Sequence, residues 1–114
     1  MNKTKNKRTT IGQLAITRYP DKIPVIIYYQ NIILPNNITY ENLLIKNDQT
    51  IGNLAVNIRQ KIKLNYSETI DISFDDNILN TSEMVSTLYI KYKNLMDECL
   101  HLKISKRSNI KSNT

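Results

Sequence analysis

The chain has 114 residues and a formal net charge of +6, from 16 basic and 10 acidic side chains. This length supports one domain with one hydrophobic core and excludes a second core. The single cysteine, Cys99, excludes an internal disulfide. No segment approaches the roughly 18 consecutive apolar residues that a membrane-spanning helix needs. We therefore expect a small cytoplasmic domain.

The positive charge is concentrated at the two ends of the chain. Residues 1–8 and 103–111 each carry four basic side chains and no acidic one, whereas the segment between them is slightly acidic. We predict basic disordered tails at residues 1–9 and 106–114, around a domain of residues 10–105. Such tails could also make weak contact with an anionic membrane or with nucleic acid.

The N-terminal third predicts a helix, a strand, a turn and a second strand. Residues 10–17 have apolar side chains at helical spacing, and the following Pro20 ends this helix. The segment 22–29 is rich in β-formers, but Pro24 within it cannot donate a hydrogen bond, so the start of this strand should be unpaired on one side. The returning strand is residues 42–46, the other half of a hairpin.

The remaining pattern predicts two helices and two strands. Residues 50–64 place apolar side chains on one helical face, which is the clearest helix of the chain. Alternation predicts strands at residues 70–74 and 100–104, with a turn at residues 75–77 and a second helix at residues 82–92. This order predicts an α+β fold with the β-grasp architecture of ubiquitin. It would combine a four-stranded mixed sheet, a packed helix and a short N-terminal helical extension, with the first and last strands parallel at the sheet centre.

Residues with catalytic or metal-binding chemistry do not form a recognisable motif. Cys99 has no histidine at motif spacing, and His101 alternates with apolar neighbours and should face away from the core. Asp75 and Asp76 lack the alternating acids and central glycine of an EF-hand. We expect a binding protein that is not an enzyme and uses no cofactor and no metal ion.

Two segments, "RYPDKIPVII" and "LLIKNDQTIGNLAVNIRQKIKL", resemble the ubiquitin-like autophagy modifiers, which include the GABA-receptor-associated proteins and the microtubule-associated light-chain-3 proteins. The resemblance spans about residues 14–105 and implies the same ubiquitin-like fold. The positions in family register within the second segment are Leu44, Asp48, Thr50, Gly52, Ile58, Arg59, Ile62 and Leu64. The resemblance also implies a cytoplasmic protein that can be recruited to autophagosomal or other vesicle membranes.

The resemblance implies a docking site for peptides of the form aromatic-x-x-aliphatic, usually with acids in front, which add as a strand to the second strand. The pocket for the aromatic side chain would be lined by Pro24, Ile26, Leu44 and Cys99. The pocket for the aliphatic side chain would be lined by Leu43, Ile45, Leu54 and Ile58. Lys22 and Arg59 would meet acidic groups of the partner, and Lys46 stands where the family has a proline.

The chain departs from the family at the site and at the tail. Tyr40, Glu41 and Asn42 stand where the family has lysines, and Cys99 stands in place of an aromatic residue, so the first pocket should be shallower and less basic. Family members are joined to phosphatidylethanolamine through a C-terminal glycine. No glycine follows Gly52 here, so the chain as written should not be conjugated, unless the true tail is missing from it.

Three functions remain open at this point. The first is an adaptor that docks aromatic-x-x-aliphatic motifs and contacts autophagy conjugation or processing enzymes, with no nucleic-acid partner. The second is a protein whose basic tails attach it to a membrane or to nucleic acid. The third is a different ubiquitin-like modifier of the autophagy conjugation system.

Overall fold

The computed structural model describes residues 9–62, 64–65 and 67–108. The helices are α1 (Ile11–Arg18), α2 (Ile51–Ile62) and α3 (Val85–Tyr92). The strands are β1 (Lys22–Gln30), β2 (Tyr40–Lys46), β3 (Glu68–Phe74), β4 (Asn77–Ile78) and β5 (Leu100–Ser108). A single turn of 3-10 helix, Pro35–Asn37, joins β1 to β2.

Within the described residues, one mixed sheet of five strands, in the order β2-β1-β5-β3-β4, organises the domain. β1 and β5 run parallel at its centre, and the other neighbours are antiparallel, as predicted. The predicted count of four strands needs one correction, because Asn77 begins the short strand β4 and is not part of the turn. Asp75 and Asp76 make that turn in the left-handed region, with φ of 51° and 66°, which aspartate tolerates better than most residues.

The hydrophobic core lies between one face of this sheet and the helices α2 and α3. Strand alternation directs Val25 and Ile27 of β1 into the core, and helical spacing directs Leu54 and Ile58 of α2 onto them. All four side chains are buried. The strand period of two and the helix period of 3.6 each place apolar side chains on one face of an element. Packing of these two faces against each other gives the α+β architecture.

The start of β1 is paired only with β2, as the position of Pro24 in the sequence predicts. Pro24 lies opposite Leu44 of β2, whereas the pairing with β5 begins at the next residue, Val25, opposite Leu100. The missing proline donor therefore leaves no gap in the β1–β5 ladder. On its other side β2 has no neighbouring strand among the described residues, so it is an edge strand with free backbone groups.

The C-terminal basic residues belong to the sheet further than predicted. β5 continues through Ser108, so residues 106–108, which the charge pattern predicts to be tail, form its last part. Lys103, Lys106 and Arg107 lie 2.7, 3.3 and 3.3 Å from carboxylate oxygens of Asp76, Glu68 and Asp71, respectively. These three cations are therefore already partnered inside the domain.

The other tail predictions, for residues 1–8 and 109–114, lie outside the described residues. In the part of the chain that the structure describes, no helix has the length and apolar composition needed to cross a membrane.

Candidate functional site

A cavity of about 260 Å³ opens between α1 and the β1–β2 hairpin, on the sheet face that is opposite the core. It contains the four side chains predicted for the aromatic pocket. Its lining is almost entirely apolar: Ile11, Ala15, Pro24, Val25, Ile26, Asn42, Leu43, Leu44 and Cys99. Sequence reasoning missed Ile11 and Ala15, which make α1 one wall of this first cavity.

Gly12 lets α1 approach the backbone of Asp97 and Glu98 closely enough to form that wall. The Gly12 backbone N–H donates to the Asp97 carbonyl oxygen at 2.8 Å, and the Thr10 hydroxyl donates to Glu98 Oε2 at 3.3 Å. A Cβ atom at Gly12 would lie 2.0 Å from the Glu98 carbonyl oxygen, a distance that no unstrained structure allows. The sequence shows Gly12 as a weak point of the helix, whereas the structure shows it as the contact that positions the helix.

Cys99 lies in the first cavity where the family resemblance implies an aromatic ring. Its side chain is buried, and burial together with the nearby Asp97 and Glu98 carboxylates raises the pKa of the thiol to about 11. The backbone N–H of Cys99 donates to Asp97 Oδ1 at 2.9 Å. The thiol is therefore neutral at physiological pH and contributes a small, unreactive surface to the cavity.

A second cavity of about 210 Å³ lies on the other side of β2, against α2. It contains the four side chains predicted for the aliphatic pocket, together with Leu44, which was predicted for the other pocket, and with Asn57 and Lys61, which sequence reasoning missed. Its lining is Leu43, Leu44, Ile45, Leu54, Asn57, Ile58 and Lys61. The exposed Leu44 lines both cavities and separates them at the strand edge.

A polar network adjoins the second cavity through Lys61, which is part of the cavity lining. Lys61 Nζ lies 2.6 Å from Glu41 Oε1, and the Tyr29 hydroxyl donates to the same oxygen at 2.7 Å. These hydrogen bonds, led by the one from Lys61, lower the pKa of Glu41. Burial raises the pKa of Tyr29 above its usual value. Glu41, which stands where the family has a lysine, is therefore an ionised partner of Lys61.

The three predicted basic residues are not all brought to this edge. Lys46 lines a more polar depression of about 250 Å³ beyond Leu44, and Lys22 is its partner on β1. Arg59 lies elsewhere, because its guanidinium donates to the backbone carbonyl oxygens of Glu68 and Asn65. It follows Ile58 by one residue, and one residue turns a helix by about 100°, which directs Arg59 to the β3 side of α2. Its prediction as a groove residue is therefore corrected.

The geometry of the two cavities suits an extended peptide chain. Residues three apart in a β-strand point to opposite faces. A strand added to β2 can therefore place one apolar side chain in each cavity. No group of three or more histidine, cysteine, aspartate or glutamate side chains within the described segments is arranged to hold a metal ion.

Comparisons with known proteins agree with this fold. The crystal structure of Trypanosoma brucei ATG8 matches with a TM-score of 0.72 and 22% sequence identity, over 88% of this chain and 85% of that one. At this identity the match supports the fold alone. No curated protein sequence matches the chain.

The family model described as "Autophagy protein Atg8 ubiquitin like" matches residues 7–110, which is most of the chain. Both segments that carry the sequence resemblance lie inside that range. A match of this extent, on a ubiquitin-like mixed sheet, places the chain in the Atg8 family of ubiquitin-like autophagy proteins, whose members are modifiers and not enzymes.

Proposed function

We propose that this protein is an adaptor that docks aromatic-x-x-aliphatic segments of autophagy-related partner proteins by β-strand addition to β2. The observation that carries the proposal is the pair of apolar cavities on opposite faces of one edge strand. The adaptor would act in the cytoplasm and on autophagosomal or other vesicle membranes. Conjugation or processing enzymes of the pathway are further candidate partners.

The backbone of β2 supplies the first part of this recognition. On its outer side β2 has no partner strand among the described residues, so its N–H and C=O groups are available to an extended peptide. These backbone bonds do not depend on peptide sequence. The side chains at the two cavities therefore supply the specificity.

The positions of the cavities determine the direction of the peptide. Asn42 lines the first cavity but not the second, and Ile45 lines the second but not the first. The larger first cavity, which suits the aromatic side chain, is thus nearer the start of β2. A segment whose aromatic residue precedes its aliphatic residue would run parallel to β2.

A peptide that contains Trp-x-x-Leu should perturb the backbone amides of residues 22–27 and 40–58 in an NMR titration. We expect a micromolar dissociation constant or a weaker one, which means a binding free energy no more favourable than about −8 kcal/mol. Leu44→Asp should weaken binding at least about tenfold, because it places a carboxylate between two apolar pockets. Leu44 is 41% exposed, so the fold should tolerate this change.

Ile78→Asp is the matched control for the titration, because Ile78 is an exposed apolar residue of β4, at the opposite edge of the sheet. It should bind the peptide like the parent protein. The absence of amide shifts at millimolar peptide, or equal weakening by both variants, would contradict the proposed groove.

We also propose that the 114-residue sequence, in which no glycine follows Gly52, is not by itself a substrate for lipid conjugation. Incubation with the family's activating and conjugating enzymes, ATP and phosphatidylethanolamine liposomes should leave its mass unchanged. A variant in which a tail ending in glycine follows Ser108 should gain the mass of the lipid, because glycine is the residue that such enzymes accept. A lipid adduct on the unchanged chain would show that another residue can serve as the acyl donor.

A further inference from the structure

Three aromatic side chains form an exposed row on the sheet face that carries the first cavity. The ring centroids of Tyr28 and Tyr40 are 6.2 Å apart, and the rings of Tyr28 and His101 are stacked at 5.7 Å. Tyr40 and Tyr28 are 55% and 42% exposed. We name Tyr40, Tyr28 and His101 the aromatic ledge.

Hydrogen bonds hold the ledge in place. The Tyr28 hydroxyl lies 2.9 Å from His101 Nδ1, and His101 Nε2 lies 2.7 Å from Asp97 Oδ2. The carbonyl oxygen of Asp97 also accepts the Gly12 N–H, which attaches α1. The rings of Tyr28 and His101 are therefore fixed before any ligand arrives, and binding to them costs little additional side-chain entropy.

The ledge continues the floor of the first cavity toward the start of β2. Ile26, which lines that cavity, is paired with Asn42 on one side and with His101 on the other. Tyr28 and Tyr40 form the next pair on the same face. A peptide parallel to β2, with its aromatic anchor in the first cavity, carries the residue two positions earlier on this same face, about 7 Å back along the strand. That residue lies over the ledge.

The charges around the ledge favour a cation at that position. Aromatic ring faces attract cations, and the Asp97 carboxylate contacts the ledge through His101. Lys103 lies opposite Tyr28 on β5, but its ammonium group is 2.7 Å from Asp76. Lys61 lies on the other face and is paired with Glu41. An acidic residue over the ledge would therefore meet ring faces, whereas the basic side chains Lys103 and Lys61 are both already paired with carboxylates.

We propose that the groove selects peptides with arginine two positions before the aromatic anchor, and disfavours an acidic residue there. The inference rests on the proposed function and specifies its partner class as a basic, not acidic, flank to the aromatic-x-x-aliphatic motif. Arginine fits best, because its planar guanidinium stacks on tyrosine rings.

The test uses three peptides that share one Trp-x-x-Leu core and differ only two positions before the tryptophan, where they carry arginine, glutamine or aspartate. Calorimetric titration should give the arginine peptide an affinity about two- to fivefold higher than the glutamine peptide, as expected for an exposed cation–π contact. The aspartate peptide should bind more weakly than the glutamine peptide. Tyr40→Leu keeps an apolar side chain but removes a ring, and should bring the arginine-to-glutamine ratio close to one.

Tyr92→Leu is the matched control, because it removes a comparably exposed tyrosine on α3, away from the ledge, where Tyr92 stacks on Phe74. It should leave the arginine preference unchanged. An aspartate peptide that binds as tightly as the arginine peptide, or an arginine preference that survives Tyr40→Leu, would overturn the inference but leave the groove standing. Failure of all three peptides to bind would overturn the proposed function itself, and the inference with it.

Discussion

Replacing Ile58 by aspartate should leave the protein without a cooperative thermal unfolding transition. The Ile58 side chain is 2% exposed and packs in the core between α2 and the sheet. An unpaired carboxylate at this site, together with the lost apolar contacts, should cost about 4–5 kcal/mol or more. The whole free energy of unfolding of a domain this size is roughly 5–15 kcal/mol, so the variant should be largely unfolded in circular dichroism and NMR spectra.

Val56→Asp is the matched control, because it adds the same charge two residues earlier on the same helix. Val56 is 54% exposed, so its substitution should change the free energy of unfolding by about 1 kcal/mol or less. A melting temperature for Ile58→Asp within a few degrees of the parent would contradict the placement of α2 in the core.

Replacing Gly12 by alanine should detach α1 from the domain. In an unconstrained helix this change would stabilise the protein by about 1 kcal/mol, because alanine is the better helix former. Here the added Cβ would lie 2.0 Å from the Glu98 carbonyl oxygen and 2.7 Å from the Asp97 carbonyl oxygen, both of them backbone atoms. We expect a net destabilisation of about 1–3 kcal/mol, the range for overpacked sites.

Hydrogen exchange is the measurement that locates this effect. The Gly12→Ala variant should lose amide protection in residues 11–18 while β1 and β5 keep theirs, because α1 contributes little to the core between α2 and the sheet. Gln13→Ala changes the neighbouring exposed residue to alanine without a clash, and should be neutral or slightly stabilising. Equal protection of α1 in both variants would show that the Gly12 contact does not hold the helix.

The apolar lining of the two cavities was largely predictable, since most of its residues lie on β1, β2 and α2, which the sequence pattern predicts. Pro24 and Ile26 alternate with core residues along β1, and Leu43 and Leu44 are adjacent on β2, so they point to opposite faces. Such alternation is a local property of the chain. The family resemblance then supplied their grouping into two pockets, and the structure places those groups in two separate cavities.

Contacts between residues that are far apart in the sequence were not predictable. Thr10 and Glu98, whose side chains help attach α1, are 88 positions apart in the sequence, and no local pattern shows that they meet. The ledge likewise joins β1, β2 and β5, which are separated by loops and helices. Contacts of this kind depend on how the elements assemble.

By itself, the sequence determined the order and type of the main elements, the core face of each, and the unpaired start of β1, because apolar periodicity and the missing proline donor are local properties. Only the tertiary structure decided that α1 forms a wall of the first cavity and that Arg59 lies on the far side of α2. It also decided that the cations of β5 are partnered by Asp76, Glu68 and Asp71. Each of these depends on distances between elements that are far apart along the chain, and the core sets those distances when it packs.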